Sequence, residues 1–405
     1  TKSRAQLVTF QMALKYLSRF ENQNYPLLGP NICGLQYWGL WQPKRLHAFI
    51  YNTIHISTTL FVLSQYVELW ILRNDLEMAL RNLSVTMLSS VCIFKVATFV
   101  IWQKPWREVL EFVSHLEKRQ LAKNDPKTNA MIVDYTKYSR TLTYFYWSLV
   151  TATVFTVILA PFFEFLASPD HRERIRNGTS PYPEILSSWT PFDRSRGFGY
   201  WITSLVHALI CFYGGGVVAG YDTNAVVIMT FFAGQLELLS VNCARLFGDE
   251  MVSHDEAMKR IKECHYHHSN LIKFSTIFNS LLSPVLFLYV FICSFMICAS
   301  ANTSNVQRVW VAEYVVALIA QLFLYCWHSN EVLYMSNQVE NGVYSSAWWS
   351  QNVRVRRSVL LLGGKLRKPI VFTAGPFTDL NLAAFVAILK GAYSYYTLLS
   401  KNEDQ

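Results

Sequence analysis

The sequence predicts an all-α polytopic membrane protein with seven transmembrane helices, a cytoplasmic N-terminus and an extracellular C-terminus. Three observations carry this expectation. Apolar stretches of bilayer-spanning length, about 20 residues each, recur along the whole 405-residue chain. Only 16% of the residues are charged and 52% are hydrophobic, where soluble domains average about 25% charged. Of the 36 Lys and Arg residues, 25 fall on connections that the spans place on one side, and loops rich in these residues stay in the cytoplasm.

Residues 1–45 form the cytoplasmic N-terminal region. Thr1-Lys2-Ser3-Arg4 is not followed by the short apolar run and small-residue cleavage site of a secretory signal. Spans one to six, within 46–327, are Leu46–Leu72, Leu76–Trp102, Thr141–Leu166, Gly197–Leu239, Phe274–Ala301 and Val309–Trp327. The fourth is long enough to continue as helix below the membrane. Residues 328–378 form a cytoplasmic segment, in which Val332–Trp349 is apolar but interrupted by Asn337, Glu340 and Asn341. It is expected to be a separate helix in a protein interior. Residues 379–405 supply the closing span, Leu380–Ser400, and a short extracellular tail, so the last span is split into a cytoplasmic helix and a membrane helix.

The closing span is oddly decorated for a lipid anchor. It carries Lys390, Thr397 and a Tyr-Ser-Tyr-Tyr run. Hydroxyls and a cation at membrane depth suit a helix that lines water or packs in a bundle. Lys95, Asp222 and Glu237 are further charges within spans, and such charges are usually paired or face water. Gly216-x-x-x-Gly220 offers a small-residue face for close helix approach.

Sequons give an independent reading of orientation. Asn82, Asn177 and Asn302 all fall on the side opposite the basic connections. Asn177 sits in the one long loop and is the expected glycosylation site. The net charge of +9 is explained by cytoplasmic loops, without a nucleic-acid partner. Eight Cys lie mostly in apolar segments, so no disulfide framework is expected. Cys264-His265-Tyr266-His267-His268 looks like a metal cluster, but adjacent helical residues point different ways and cannot all reach one ion; Cys264 and His268, four apart, could. No metal, no cofactor and no catalytic constellation is expected; the chain is not read as an enzyme.

Several segments together resemble the insect odorant receptor family: Gly39-Leu40-Trp41, the Lys95-bearing second span, Pro181–Asp193, Trp327-His328-Ser329-Asn330, Trp348-Trp349 and, most specifically, Lys390 to Leu399. The resemblance implies a subunit of a tetrameric, odorant-gated, non-selective cation channel in the plasma membrane. The short connection Arg245–Lys273 marks a tuning receptor, which implies co-receptor subunits as partners in a heterotetramer, alongside the odorant, lipid bilayer and permeant cations. In such a channel the last helix lines the pore, with Leu398 at the hydrophobic gate, Thr397 beside it and Lys401 at the outer mouth. A ring of apolar side chains blocks ions by dewetting.

The resemblance also implies a ligand site in the outer half, between spans two, three, four and six. The expected lining is Thr86, Met87 and Ser90; Val150, Thr153, Val154 and Val157; Ile202, Leu205, Val206 and Leu209; and Tyr314 and Leu318. Ordinary packing is the competing reading of each. An aliphatic lining with scattered hydroxyls suits a hydrophobic volatile with at most one polar group, such as a terpene, ester or alcohol. Rival readings are a gustatory-receptor-type channel, a metabotropic seven-span chemoreceptor, which the expected orientation opposes, and a transporter, for which no internal repeat is visible.

Overall fold

The computed structural model describes residues 22, 24–42, 45–167, 169–177, 182–193, 197–248, 253–299 and 305–403. Among these, seven helices of 22 residues or more build one bundle: α2 (Arg45–Ile71), α3 (Leu76–Ile101), α5 (Pro126–Ala167), α7 (Gly197–Ala244), α8 (His254–Ala299), α9 (Asn305–Tyr344) and α11 (Leu382–Glu403). Shorter helices are α1 (Gly29–Tyr37), α4 (Gln103–Leu121), α6 (Pro169–Arg176) and α10 (Val353–Leu366). A two-residue antiparallel pair, β1 (Thr373–Ala374) and β2 (Thr378–Asp379), joins α10 to α11.

By length and hydropathy alone, Leu46–Asn74, Pro126–Phe163, Gly197–Ala244 and His254–Met296 suffice to cross a membrane. Val85–Ile101 and Gln103–Leu121 pass the same test only as a pair, bent by 79° where they meet, and Leu382–Ser394 is a shorter apolar helix. Exposed aliphatic and aromatic side chains run the length of α2, including Leu46, Phe49, Leu60, Leu63 and Trp70. On a protein in water such a surface would aggregate; in a bilayer it is the lipid face.

Polar caps fix where helices start. Asp75 accepts from Met78 N at the head of α3, at 3.1 Å. Asn352 does the same for Val355 N at α10, and Asn381 for Ala384 N at α11, at 2.9 and 2.8 Å. These side chains satisfy amide groups that the first helical turn leaves open.

Three features differ from the sequence expectation. Residues 24–41 are part of the bundle, with Leu27, Leu28, Ile32 and Leu35 fully buried. The Gly216–Gly220 face receives this segment: a Cβ at Gly216 would stand 1.9 Å from the Trp38 ring. Second, Val332–Trp349 is not a separate helix. Its residues to Tyr344 continue α9, because Asn337 and Asn341 are exposed and never interrupt the backbone ladder. Third, the separate helix before the last span is α10, where Val355, Val359, Leu362 and Leu366 are buried at helical spacing between exposed arginines.

The β1–β2 turn sets the position of α11. Thr373 N donates to Asn279 Oδ1 of α8 at 2.9 Å, and Gly375 N donates to Ser283 Oγ at 2.9 Å. Gly375 has φ +70°, and a Cβ there would meet Phe287 at 2.5 Å. Leu380 N then donates to Phe372 O at 2.8 Å. The last helix therefore starts from a point docked on α8.

Candidate functional site

At the centre of the bundle one carboxylate gathers four helices. Asp222 of α7 is 2% exposed and Lys95 of α3 is 1% exposed. Lys95 Nζ lies 2.5 Å from Asp222 Oδ1. Tyr325 OH of α9 donates to the same oxygen at 2.6 Å. Tyr146 OH of α5 donates to Oδ2 at 2.8 Å, and Gln321 Nε2 of α9 donates there too. A carboxylate has about four acceptor positions, and all four are used. Lys95 also faces the rings of Tyr221 and Tyr289, at 5.4 and 5.8 Å to the centroids. Tyr289 OH of α8 donates to Leu318 O of α9 at 2.7 Å. The expectation that intramembrane charges are paired holds for Lys95 and Asp222. Spacing alone gave no sign of the three neutral donors.

Beside this knot is a void of about 10 Å³, lined among others by Thr143, Tyr146, Asp222, Gln321 and Tyr325. The Thr143 hydroxyl is buried, with no hydrogen-bond partner among the described residues.

Toward the 182–193 loop, the helices carry the expected ligand-site residues. Thr86 is fully buried and donates to Asn82 Oδ1 at 3.1 Å. Ser90 donates to Thr86 O and is hydrogen-bonded to Tyr66 OH, both at 2.8 Å. Met87 packs against the core and Leu318 is buried. Val150 and Val154 meet Gly215 of α7, where a Cβ would stand 3.6 and 2.4 Å from them. Thr153 donates to Leu149 O at 3.1 Å in its own helix, and Val157 is half-buried. Tyr314 lies on α9, with its side chain outside the described residues.

Ile202, Leu205, Val206 and Leu209 lie on the outward face of α7, with Leu205 and Leu209 about 60% exposed (61% and 60%). The inner face carries Thr203, Ser204 and His207 instead, all buried. The most apolar stripe of a membrane helix suits lipid, and these four stand on the face turned away from the bundle. The signal that locates the inner face is the polar set Thr203, Ser204 and His207 at helical spacing.

His207 pins the loop. Its Nε2 is 3.0 Å from Ser188 Oγ, and Leu186 N donates to its Nδ1 at 3.4 Å. Asn82 Nδ2 donates to Ser187 O at 3.2 Å, and Trp189 N to Ser64 O at 3.2 Å. The loop thus closes this end of the bundle against α2, α3 and α7. Asn82, read from the sequence as a sequon, is buried and serves as a brace. Asn177 is exposed at the end of α6, and Asn302 lies outside the described residues.

The last helix has one packed and one open face. Phe385 and Ile388 pack on the core, and Ala392 is buried. Ala383, Ala387, Lys390 and Ser394 are exposed along the opposite side. At 100° per residue, this row continues through the register positions of Thr397 and Lys401, with Leu398 on its flank. The backbone is helical there, and the side chains of Thr397, Leu398 and Lys401 lie outside the described residues.

At the α4 end, Glu117 is fully buried and accepts from Leu27 N at 2.9 Å and from Tyr135 OH at 3.4 Å. Arg140 holds the carbonyls of Pro26 and Leu27. Burial pushes the Glu117 carboxyl up to about 7, against the opposing pull of these donors and of Arg140. Gln120, Gln235 and His267 continue the cluster: Gln120 Nε2 donates to Gln235 Oε1 at 2.6 Å, and His267 Nε2 is 3.0 Å from the same oxygen. Among the described residues no group of three or more His, Cys, Asp or Glu converges on a metal position.

The comparisons agree with this arrangement. The family model described as 7tm Odorant receptor matches residues 75–393. The chain is 22% identical to odorant receptor Or2 of Anopheles gambiae over 387 residues, covering 93% of this chain and 98% of that one. It is 27% identical to odorant receptor 10 of Aedes albopictus over 213 residues, half of this chain and 56% of that one. Among solved structures it is similar to the olfactory receptor OR5 of Machilis hrabei in complex with eugenol, with a TM-score of 0.75 at 16% identity, covering 94% of this chain and all of that one. A second structure of the same receptor gives a TM-score of 0.73 at 18% identity, over 96% and 98% of the two chains. A match over most of the chain, on a bundle of this form, places the protein in the insect 7tm odorant receptor family.

Proposed function

We propose that the chain is the odorant-tuned subunit of a ligand-gated, non-selective cation channel of the plasma membrane, assembled with co-receptor subunits. The N-terminus is cytoplasmic, in keeping with the distribution of Lys and Arg, and the C-terminus is extracellular. The observation that carries the reading is the two-faced last helix. Its packed side ties it to α8 and α9, while Ala383, Ala387, Lys390 and Ser394 are left open beside the exposed Val386 and Tyr393. A lone lipid-facing helix has no use for that face; a helix shared around a central pore does. Thr397, Leu398 and Lys401 follow at the outer mouth, with Leu398 in the gate.

The ligand lies between α3, α5, α7 and α9, against Thr86, Met87, Ser90, Val157 and Leu318, with Thr203 and His207 as the α7 contribution under the loop. The apolar majority of this lining favours a volatile ester, terpene or alcohol. OR5 of Machilis hrabei, of similar fold, is described in complex with eugenol. Asn177, exposed at the end of α6, is the glycan acceptor. The test is co-expression with a co-receptor and a screen of esters, terpenes, alcohols, amines and acids by evoked current. The expected result is current with a neutral, mainly apolar volatile; a charged amine or acid as best agonist overturns the ligand assignment.

A further inference from the structure

We infer that Asp222 is a two-position joint that transmits ligand binding to the pore helix, with Thr143 holding the second position. The inference rests on the channel reading above and adds its coupling element. In this structure both α9 donors, Gln321 and Tyr325, are spent on Asp222. They sit on one face of α9, four residues apart. Phe323 lies on the opposite face and meets Phe385 of the last helix edge-on, with ring centroids 5.5 Å apart. One turn of α9 therefore holds the buried carboxylate on one side and the pore helix on the other.

A joint needs a second stable position. If α9 shifts, Asp222 loses two of four donors, and an under-satisfied buried carboxylate is costly. The void beside it contains a replacement. Thr143 lines the same void, and its Oγ1 is buried with no partner among the described residues. A donor left unused in the interior carries a cost that most native structures avoid. Here the hydroxyl is explained if it donates to Asp222 once the α9 donors leave. Lys95 and Tyr146 stay bound in both positions, anchored on α3 and α5. Lys95 keeps its ring contacts to Tyr221 and Tyr289, so the charge remains paired while α9 changes partner.

The two positions make opposite demands on two small deletions. Tyr325→Phe removes a donor used only in the present arrangement. Thr143→Val removes a donor used only in the other. The experiment co-expresses each variant with a co-receptor, measures surface protein by an external epitope tag, and titrates the panel volatile that evokes the largest wild-type current. The expected result is a shift of about tenfold in half-maximal concentration for each, the energy of one hydrogen bond to a charged group, in opposite directions. Gln321→Met repeats the Tyr325→Phe direction and replaces it if that variant fails to reach the surface. Shifts in the same direction, or no shift at normal surface levels, overturn the joint while leaving the channel reading intact. Absence of wild-type current to every panel member instead removes the channel reading on which the joint rests.

Discussion

Neutralising one member of the Lys95–Asp222 pair is predicted to be worse than neutralising both. Each side chain is almost completely buried, and Asp222 accepts four hydrogen bonds. Asp222→Asn leaves Lys95 charged beside a neutral amide oxygen and the faces of Tyr221 and Tyr289, each ring offering about 2 kcal/mol when desolvated. Removing one partner of a buried pair costs about 3–5 kcal/mol, a large share of the roughly 5–15 kcal/mol that holds a typical protein folded. Lys95→Met leaves Asp222 with Tyr146, Gln321 and Tyr325, so its cost falls toward the lower end of that range. The double variant leaves no charge at this site and is predicted to recover most of the loss. The assay is the melting temperature of detergent-solubilised protein with surface abundance in cells. The predicted order of stability is wild type, then double variant, then Lys95→Met, then Asp222→Asn. Additive losses in the double variant would refute the reasoning, because additivity means the two charges do not interact.

Other expectations follow from the same contacts. The Glu117 carboxyl is raised from 4.5 to about 7, so the folded state binds a proton more tightly than the unfolded one. Its contribution is full below about 4.5 and is lost as pH rises through about 7, at most a few kcal/mol; Glu117→Gln should flatten that part of the stability–pH profile, and an unchanged slope would exclude Glu117 as its source. Gly216→Ala is expected to cost about 1–3 kcal/mol by overpacking against Trp38, seen as a lowered melting temperature that Trp38→Leu partly restores. On α7, Leu205→Ala and Leu209→Ala face outward and should leave the half-maximal agonist concentration unchanged. His207→Ala unpins Leu186 and Ser188 and should shift it at least several-fold.

Much of the fold was legible because bilayer spans announce themselves by length and apolarity. The heads of α2, α3 and α7 fall within a residue of the expected starts. What was not legible followed from contacts distant in sequence. The burial of Leu27 to Leu35 depends on a glycine face nearly 190 residues away, between Gly216 and Gly220. Asn337 and Asn341 suggested a break, yet polar residues outside the apolar layer leave a helix intact, and α9 runs on to Tyr344. On α7 the aliphatic residues expected in the lining face outward, because lipid, like a binding pocket, selects aliphatic side chains. Lys95 and Asp222 were recognisable as unusual charges. That Tyr146, Gln321 and Tyr325 complete their shell required the packing of four helices.

The central claim is that ligand binding opens a pore in the protein itself. Its most direct test is an excised membrane patch containing the chain and a co-receptor, with no added nucleotide. The account predicts that a hydrophobic volatile evokes a cation current that persists in the excised patch. It also predicts that substitution of Leu398 by a smaller polar residue raises the resting current. Loss of the response on excision, with G-protein signalling preserved in intact cells, would contradict it.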